Sequence, residues 1–362
     1  MKVLCAMSGG VDSSVAAAEL LAAGHDVVGV TMRLWGGASD TGCCSIADVD
    51  DARRVAQQLG IDHLVFNFTD DFDRHVVDPH VEAHRHGLTP NPCIEGNRHL
   101  KFDRLSVRAD LLGFDAIATG HHARVVEVDG RRHVARGADA AKDQSYVVHM
   151  LPQRELARTL FPVGHLTKAE VRRRAEAAGL RTATKPDSQD VCFITHTGGR
   201  TQFLGDRIAF RRADVVDTSG TRVGTVDAVE LVTVGQRRGG GLPGGGPKRY
   251  VVDGDPDAGG GVGGGVRGSV LARCSAQGAT RRGTASADGD DVVVRWHEPQ
   301  RRVAPGQTVV FYDLTDTHVL GGGIATRRGP GARPTRLPTG GWGSPAARSS
   351  LPGRLGAQRD DP

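Results

Sequence analysis

The chain has 362 residues, enough for two or three domains at roughly 100–200 residues each. A hydrophobic content of 38% and a charged content of 24% allow folded cores and exclude a wholly disordered chain. No run of about eighteen apolar residues is free of charge, which excludes a membrane-spanning helix, and a net charge of +4 leaves no strongly basic body.

The opening stretch Met1–Met7 is too short an apolar run for a signal peptide before Ser8-Gly9-Gly10 interrupts it. Six cysteines in a chain of this length read as cytosolic thiols. A soluble cytoplasmic protein is expected, with no membrane partner. In chain order, Lys2–Met7 reads as a strand and Val11–Ala23 as an Ala-rich helix stopped by Gly24. Asp26–Met32 is a second strand. Asp48–Leu59 carries helical spacing, with Gly60 behind it. Leu64–Phe68, Leu105–Leu112 and Asp115–Thr119 follow as strand, helix and strand. Thr167–Gly179 is a helix with a capping box, Thr167 at the N-cap and Glu170 three residues on. Strands separated by helices imply right-handed crossovers and a mainly parallel sheet.

Composition shifts near Gly220. Val229–Val234, Tyr250–Val252, Val292–Trp296, Thr308–Tyr312 and His318–Leu320 sit between Gly-rich turns, as in small β domains. Gly239–Gly246 and Gly259–Gly265 read as connectors or loops. The last stretch, Arg327–Pro362, has no apolar periodicity and carries seven Arg against two Asp. The chain's basic excess therefore lies in an expected disordered tail.

Ser8-Gly9-Gly10-Val11-Asp12-Ser13-Ser14 follows a strand and opens a helix. There, bare backbone N–H groups and the positive helix end can hold an anion. The glycines admit phosphates close to the backbone, Ser13 and Ser14 bring hydroxyls, and Asp12 can help hold Mg²⁺. The loop lacks the Gly-Lys-Ser/Thr of a Walker A motif and the spacing of a dinucleotide fingerprint. It resembles the pyrophosphate loop of the N-type ATP pyrophosphatases, which cleave ATP to AMP and pyrophosphate while adenylating a carbonyl oxygen.

Further segments narrow the resemblance. Thr89-Pro90-Asn91-Pro92-Cys93, Ala118-Thr119-Gly120-His121-His122, Lys142-Asp143-Gln144-Ser145-Tyr146 and Lys185-Pro186-Asp187-Ser188-Gln189-Asp190-Val191-Cys192-Phe193 occur in that order. With Val234–Arg238, Pro305-Gly306-Gln307 and Leu320–Gly323, they are similar to the tRNA-uridine 2-thiolase family, over roughly residues 1–326.

The resemblance implies an α/β fold. A parallel-sheet domain like the adenine nucleotide alpha hydrolases (a PP-loop domain) spans 1–200, a small central domain 201–266 and a C-terminal β-barrel 267–326, with the basic tail at 327–362. It implies an ATP-dependent sulfurtransferase that thiolates the wobble uridine of tRNA. Ala6, Met7, Ser8, Gly9, Gly10, Val11, Asp12, Ser13, Met32 and Gly120 bind ATP in that reading, with Mg²⁺. Asn91, Pro92 and Cys93 meet the target base, and His121, Lys142, Asp143, Gln144 and Gln307 contact tRNA. Cys192 carries the persulfide, supplied by a donor such as a cysteine desulfurase or sulfur relay protein. The chemistry needs these types: uracil C2 becomes electrophilic once its oxygen is adenylated, and sulfur must then arrive from an accessible, activated thiol. No protein-held metal cluster is expected; adjacent Cys43-Cys44 chelate one metal poorly.

One position departs from the family pattern. Where relatives present a second, nucleophilic cysteine, this chain reads Asn91-Pro92-Cys93-Ile94-Glu95-Gly96-Asn97. Glycine cannot resolve a persulfide, which leaves three routes: Cys93 stands in, an external thiol releases the sulfur, or the chain binds ATP and tRNA with impaired thiolation. An amide ligase of the same superfamily is a rival that needs no Cys192. Sixteen aromatics are too few for a base-stacking platform, so shape, phosphate contacts through Arg runs such as Arg172–Arg174 and one extruded base are the expected mode.

Overall fold

The computed structural model describes residues 1–34, 46–187, 194, 199–216, 221–233, 266–288, 291–300 and 303–326. Cys43-Cys44, Cys192, Val234–Arg238, Tyr250–Val252, both Gly tracts and the tail lie outside the described residues.

The first domain is built on a five-stranded, all-parallel sheet: β1 (Lys2–Ala6), β2 (Asp26–Arg33), β3 (His63–Asn67), β4 (Ala116–Thr119) and β7 (Thr159–Leu160), in the order β3-β2-β1-β4-β7. The alternation along β1 explains why both faces are covered. Val3, Cys5 and Met7 enter one apolar cluster, and Leu4 and Ala6 enter another. Helices α1 (Val11–Ala22), α2 (Ile46–Leu59) and α9 (Lys168–Ala177) pack on the first face through residues such as Val15, Val55 and Val171. The capping box at Thr167 and Glu170 is formed in full.

The opposite face is covered by a helical run from Thr69 to Leu111. It comprises α3 (Thr69–Phe72), α4 (Asp78–Arg85), α5 (Pro92–Gly96) and α6 (Leu105–Leu111), with π-helical turns at Asp73–Val77 and Asn97–Arg104. Only its last helix was legible from spacing. The motif Val128-Asp129-Gly130-Arg131 turns a hairpin between β5 (Ala123–Val128) and β6 (Arg131–Arg136), with Asp129 and Gly130 both at positive φ, as a tight two-residue loop requires. Two short helices follow, α7 (Ser145–Val148) and α8 (Gln153–Leu156).

Of the central region, α10 (Gly199–Gly205) and the hairpin β8 (Ala213–Val216) and β9 (Arg222–Val226) are described. The expected strand at Val229–Val234 is corrected: Val229–Leu231 is a 3₁₀ turn. The buried Glu230 carboxylate folds back onto Arg211, accepting from its backbone N–H at 3.1 Å and its guanidinium at 2.7 Å, which a straight strand would not allow.

The C-terminal domain is an antiparallel sheet ordered β12-β11-β10-β13-β14. Its strands are β10 (Gly268–Arg273), β11 (Arg281–Asp288), β12 (Asp291–Trp296), β13 (Thr308–Tyr312) and β14 (Val319–Ile324). Its strand β13, between β10 and β14, is buried on both faces. Val309 and Phe311 join Val270 and Val292 in the domain's own core, whereas Val310 and Tyr312 enter the core of the first domain beside Tyr146.

Candidate active site

The strand order reverses direction between β1 and β4, and ligands of open α/β sheets bind at the carboxyl ends of strands at such a point. Two loops meet there: Ser8–Ser14 after β1 and Gly120–His122 after β4. A Cβ at Gly120 would lie 2.7 Å from the Ser13 backbone N and 2.8 Å from the Asp12 carbonyl carbon, so only glycine allows this approach. Gly9 adopts φ +72°, and a Cβ there would lie 2.3 Å from the Asp48 carbonyl oxygen on α2. Both glycines serve close backbone packing around the loop.

The loop's serines hold its shape. Ser13 and Ser14 hydroxyls donate to the Gly10 carbonyl at 3.0 and 2.9 Å, and the Ser8 N–H donates to Ser13 Oγ at 3.1 Å. Ser14 is fully buried, so its expected outward donation is corrected. A helix start leaves its first-turn N–H groups without intrahelical acceptors, and at α1 these are the groups able to donate to an anion.

Asp12 is the charged centre of the site. Lys168 Nζ donates to both carboxylate oxygens at 2.7 Å, and His122 Nε2 lies 3.0 Å from Oδ1. Burial works against the charged form, but these hydrogen bonds and the lysine charge prevail and hold the carboxyl below its ordinary pKa. Lys168 also reaches Asp187 at 2.8 Å, and Asp187 takes Lys142 at 2.8 Å and Arg172 at 2.7 Å. Burial opposes that carboxylate too, yet Lys142 and Lys168 bring it from 3.8 to about 2. Two residues earlier, Lys185 Nζ sits 2.7 Å from both Asp48 and Asp51, against the helix that leans on Gly9. The Lys185-Pro186-Asp187 segment is thus bolted to the phosphate loop from two sides.

The other site residues lie in five settings around the sheet. Ala6, Met7 and Met32 are buried at the ends of β1 and β2, with Met7 N–H bonded to Val30 O at 2.8 Å. His121 is enclosed between Phe102 and Phe161 and shares a 2.7 Å hydrogen bond with Thr119; burial drives its pKa well down. Gln144 accepts from His122 N–H at 2.9 Å, and Asp143 is fully enclosed, bound by Arg136, Arg273, Ser145 and the Gly137 N–H. Lys142 and Gln144 are half-buried, and Asp143 between them is sealed. Asn91 caps α5, accepting from the Cys93 N–H at 3.1 Å, and Cys93 is exposed. Asn97 donates to Val147 O at 2.8 Å, which holds this segment against α7. Gln307 closes its own turn, accepting from Ala304 N–H at 3.3 Å.

Residue pattern missed Lys168, His122 and Arg172. Lys168 follows an N-cap and Arg172 sits in an arginine run; nothing local shows that the first reaches 156 residues back to Asp12. Arg172 donates to Ala183 O, Lys185 O and Asp187, so that part of the Arg172–Arg174 run is a structural clamp.

A parallel sheet with a Gly/Ser loop and a close glycine at its switch point defines an α/β nucleotide-binding domain of the PP-loop class. Residues 1–196 match the family model described as a tRNA methyl transferase HUP domain. Residues 201–260 match the corresponding PRC-barrel domain, and 267–325 match an aminomethyltransferase β-barrel domain. The chain is 44% identical to the tRNA-specific 2-thiouridylase MnmA of Chloroflexus aurantiacus, over 90% of this chain and 98% of that one. The protein of the same name from Mycobacterium marinum is also 44% identical, over the same shares. That of Mycolicibacterium gilvum is 45% identical over 86% of this chain and 95% of its own. The chain belongs to the tRNA-specific 2-thiouridylase family.

Proposed function

We propose that this protein thiolates the wobble uridine of tRNA at C2, using ATP, with domains at 1–200, 201–266 and 267–326 ahead of the basic tail. The observation that carries the reading is the meeting of the Ser8–Ser14 loop with Gly120 at the switch point, in a chain whose relatives over 98% of their length are named tRNA-specific 2-thiouridylases. The first-turn N–H groups of α1 receive the phosphates. Asp12 is a suitable Mg²⁺ ligand, since that ion takes one or two carboxylates plus phosphate oxygens and Asp12 is already held ionised. When bound, the ion neutralises phosphate charge. Lys168 then has Asp187 and the phosphates as its remaining anionic partners.

In this reading the uridine C2 oxygen attacks the α-phosphorus and pyrophosphate leaves. The outer sulfur of a Cys192 persulfide, loaded by an external persulfide donor, attacks C2, and AMP leaves with the oxygen. A thiol must then attack Cys192 Sγ, so that the S–S electron pair leaves with the outer sulfur as 2-thiouridine and Cys192 is left in a disulfide with that thiol, which an external thiol reductant reopens. Cys93 or an external thiol can make that attack, because residue 96 is glycine. Gly96 has helical φ −61° and ψ −41°, and a Cβ there meets nothing within 4 Å. Gly96→Cys therefore fits the backbone and is expected to raise turnover when reductant is scarce. Cys93→Ser inactivates the natural protein only if Cys93 is the resolving thiol.

The test combines purified protein, ATP, Mg²⁺, a persulfide donor and unmodified tRNA, with 2-thiouridine read by mass spectrometry of the digested nucleosides. Product with the natural protein and none with Cys192→Ser supports the proposal. ATP cleavage by the natural protein without 2-thiouridine refutes it and leaves the chain with impaired thiolation or the amide ligase.

A further inference from the structure

The C-terminal sheet meets the α/β domain along two seams, and each ends on a loop that carries site residues. The first seam is the turn Pro305–Gln307. In Thr89-Pro90-Asn91-Pro92 the prolines have no N–H, so only Thr89 and Asn91 can donate from the backbone. Thr89 gives its N–H to the Pro305 carbonyl at 2.9 Å. Gly306 makes the approach possible: it adopts φ +86°, and a Cβ there would lie 2.9 Å from both Leu88 Cβ and Thr89 N. Two residues beyond Thr89, Asn91 caps α5 and places Cys93.

The second seam is ionic and buried. Arg273 on β10 donates to the fully enclosed Asp143 at 2.6 Å, and Arg136 donates to the same oxygen at 2.9 Å. A buried carboxylate needs such partners to stay charged. Asp143 also accepts from the Ser145 N–H at 3.1 Å, and Ser145 Oγ shares a 2.9 Å hydrogen bond with Tyr312 on β13. Lys142 and Gln144 flank Asp143, and they reach Asp187 and His122.

We infer that the C-terminal domain is a positioning clamp. It fixes the Thr89–Cys93 and Lys142–Gln144 loops against the phosphate loop, with Gly306 and Arg273 as its positioning residues. What the two loops do rests on the function proposed above; that they are held from the C-terminal sheet rests on the contacts alone. Asp143 and Gly306 thereby have roles in domain docking.

The experiment uses the full chain and reads amide hydrogen exchange by mass spectrometry, alongside thiolation kinetics. Gly306→Ala should speed exchange at Thr89 about tenfold, the equivalent of one hydrogen bond, and change the iodoacetamide labelling rate of Cys93. Arg273→Met should do the same for exchange at Ser145, and Arg273→Lys, which keeps the charge, should restore most of the protection. In both loosened variants kcat for thiolation should fall about tenfold with KM for ATP unchanged. Should Gly306→Ala fail to fold, the Arg273 pair carries the test alone. Wild-type exchange at Thr89 and Ser145 in the variants would overturn the clamp, as would loosened loops with unchanged kcat. Failure of the natural protein to thiolate tRNA would refute the functional reading while leaving the exchange result to judge the clamp.

Discussion

The phosphate-loop end of the parallel sheet and the docking face of the C-terminal sheet both position site residues, by opposite means. At the first, nine consecutive residues from Ala6 to Ser14 form the loop, and its serine hydrogen bonds close within it, as in Ser13 to Gly10 and Ser14 to Gly10, with the Asp12 carboxylate alone held from Lys168 and His122. At the second, Asp143 is gripped by Arg136 from a hairpin and Arg273 from another domain, 130 residues away. Local closure makes a motif; distant closure makes a contact that no motif displays. The two also differ in charge. The loop end leaves Asp12 partly exposed and ionised beside Lys168, ready to exchange partners, whereas Asp143 is sealed and paired for good.

The largest effect is expected at the exchangeable carboxylate. Asp12→Ala should lower ATP turnover on the order of a thousandfold with the fold retained, because a single preorganised group beside the reacting phosphates carries that share of charge stabilisation. Circular dichroism and a pyrophosphate-release assay check it; wild-type turnover in a folded variant would erase the contrast with Asp143.

Gly120→Ala comes next. The added methyl would press on the backbone at Ser13, which cannot turn aside as a side chain can. Roughly 1–3 kcal/mol of stability should be lost to overpacking. Turnover should drop about a hundredfold from displacement of the loop. Urea unfolding and steady-state kinetics separate the two losses.

A smaller effect sharpens the electrostatic side. Asp187 has its pKa lowered from 3.8 to about 2, against its burial, by Lys142 and Lys168. A depressed carboxylate stabilises the fold above its unfolded value and loses that contribution as pH falls through the folded one. Asp187→Asn should therefore cost roughly 1–2 kcal/mol at neutral pH, after allowance for solvent screening. The gap to wild type should close between pH 3.8 and about 2 in denaturant titrations. A gap that persists at pH 2 would contradict the ion-pair account.

The smallest change is a gain. Gly96 sits in helical backbone with open space around its Cα, so Gly96→Ala should stabilise by roughly 0.5–1 kcal/mol. Thermal unfolding checks it, and a destabilised variant would mean that Gly96 is needed for a conformation the helix does not show.

Much of the fold was legible because its signals are local. The alternating apolar residues of β1, the glycine stops and the Thr167–Glu170 capping box depend only on near neighbours, and each lies where spacing put it, within a residue or two. The hairpin at Asp129-Gly130 was equally local and passed unread, although paired positive-φ turn residues between β-rich runs are its standard sign. The helical run from Thr69 to Gly96 was hidden for another reason: polar histidines and acids interrupt its spacing, and its stability comes from Phe72, Val76 and Ile94 packing on the sheet. The strand expected at Val229 failed because a buried Glu230 found Arg211, a preference no propensity contains.

By itself, the sequence determined the class of chemistry. A Gly/Ser loop between strand and helix needs only nine residues in a row to present backbone N–H groups to an anion, and further motifs in order named the family. Tertiary structure alone decided which side chains surround that loop and which face elsewhere. It turned Ser14 inward, delivered Lys168 to Asp12, sealed Asp143 between two arginines and set Gly306 against Thr89. The physical reason is range: backbone geometry and capping act over three or four residues, whereas an ion pair or a close backbone approach is specified only once the sheets have brought distant segments within about 3 Å.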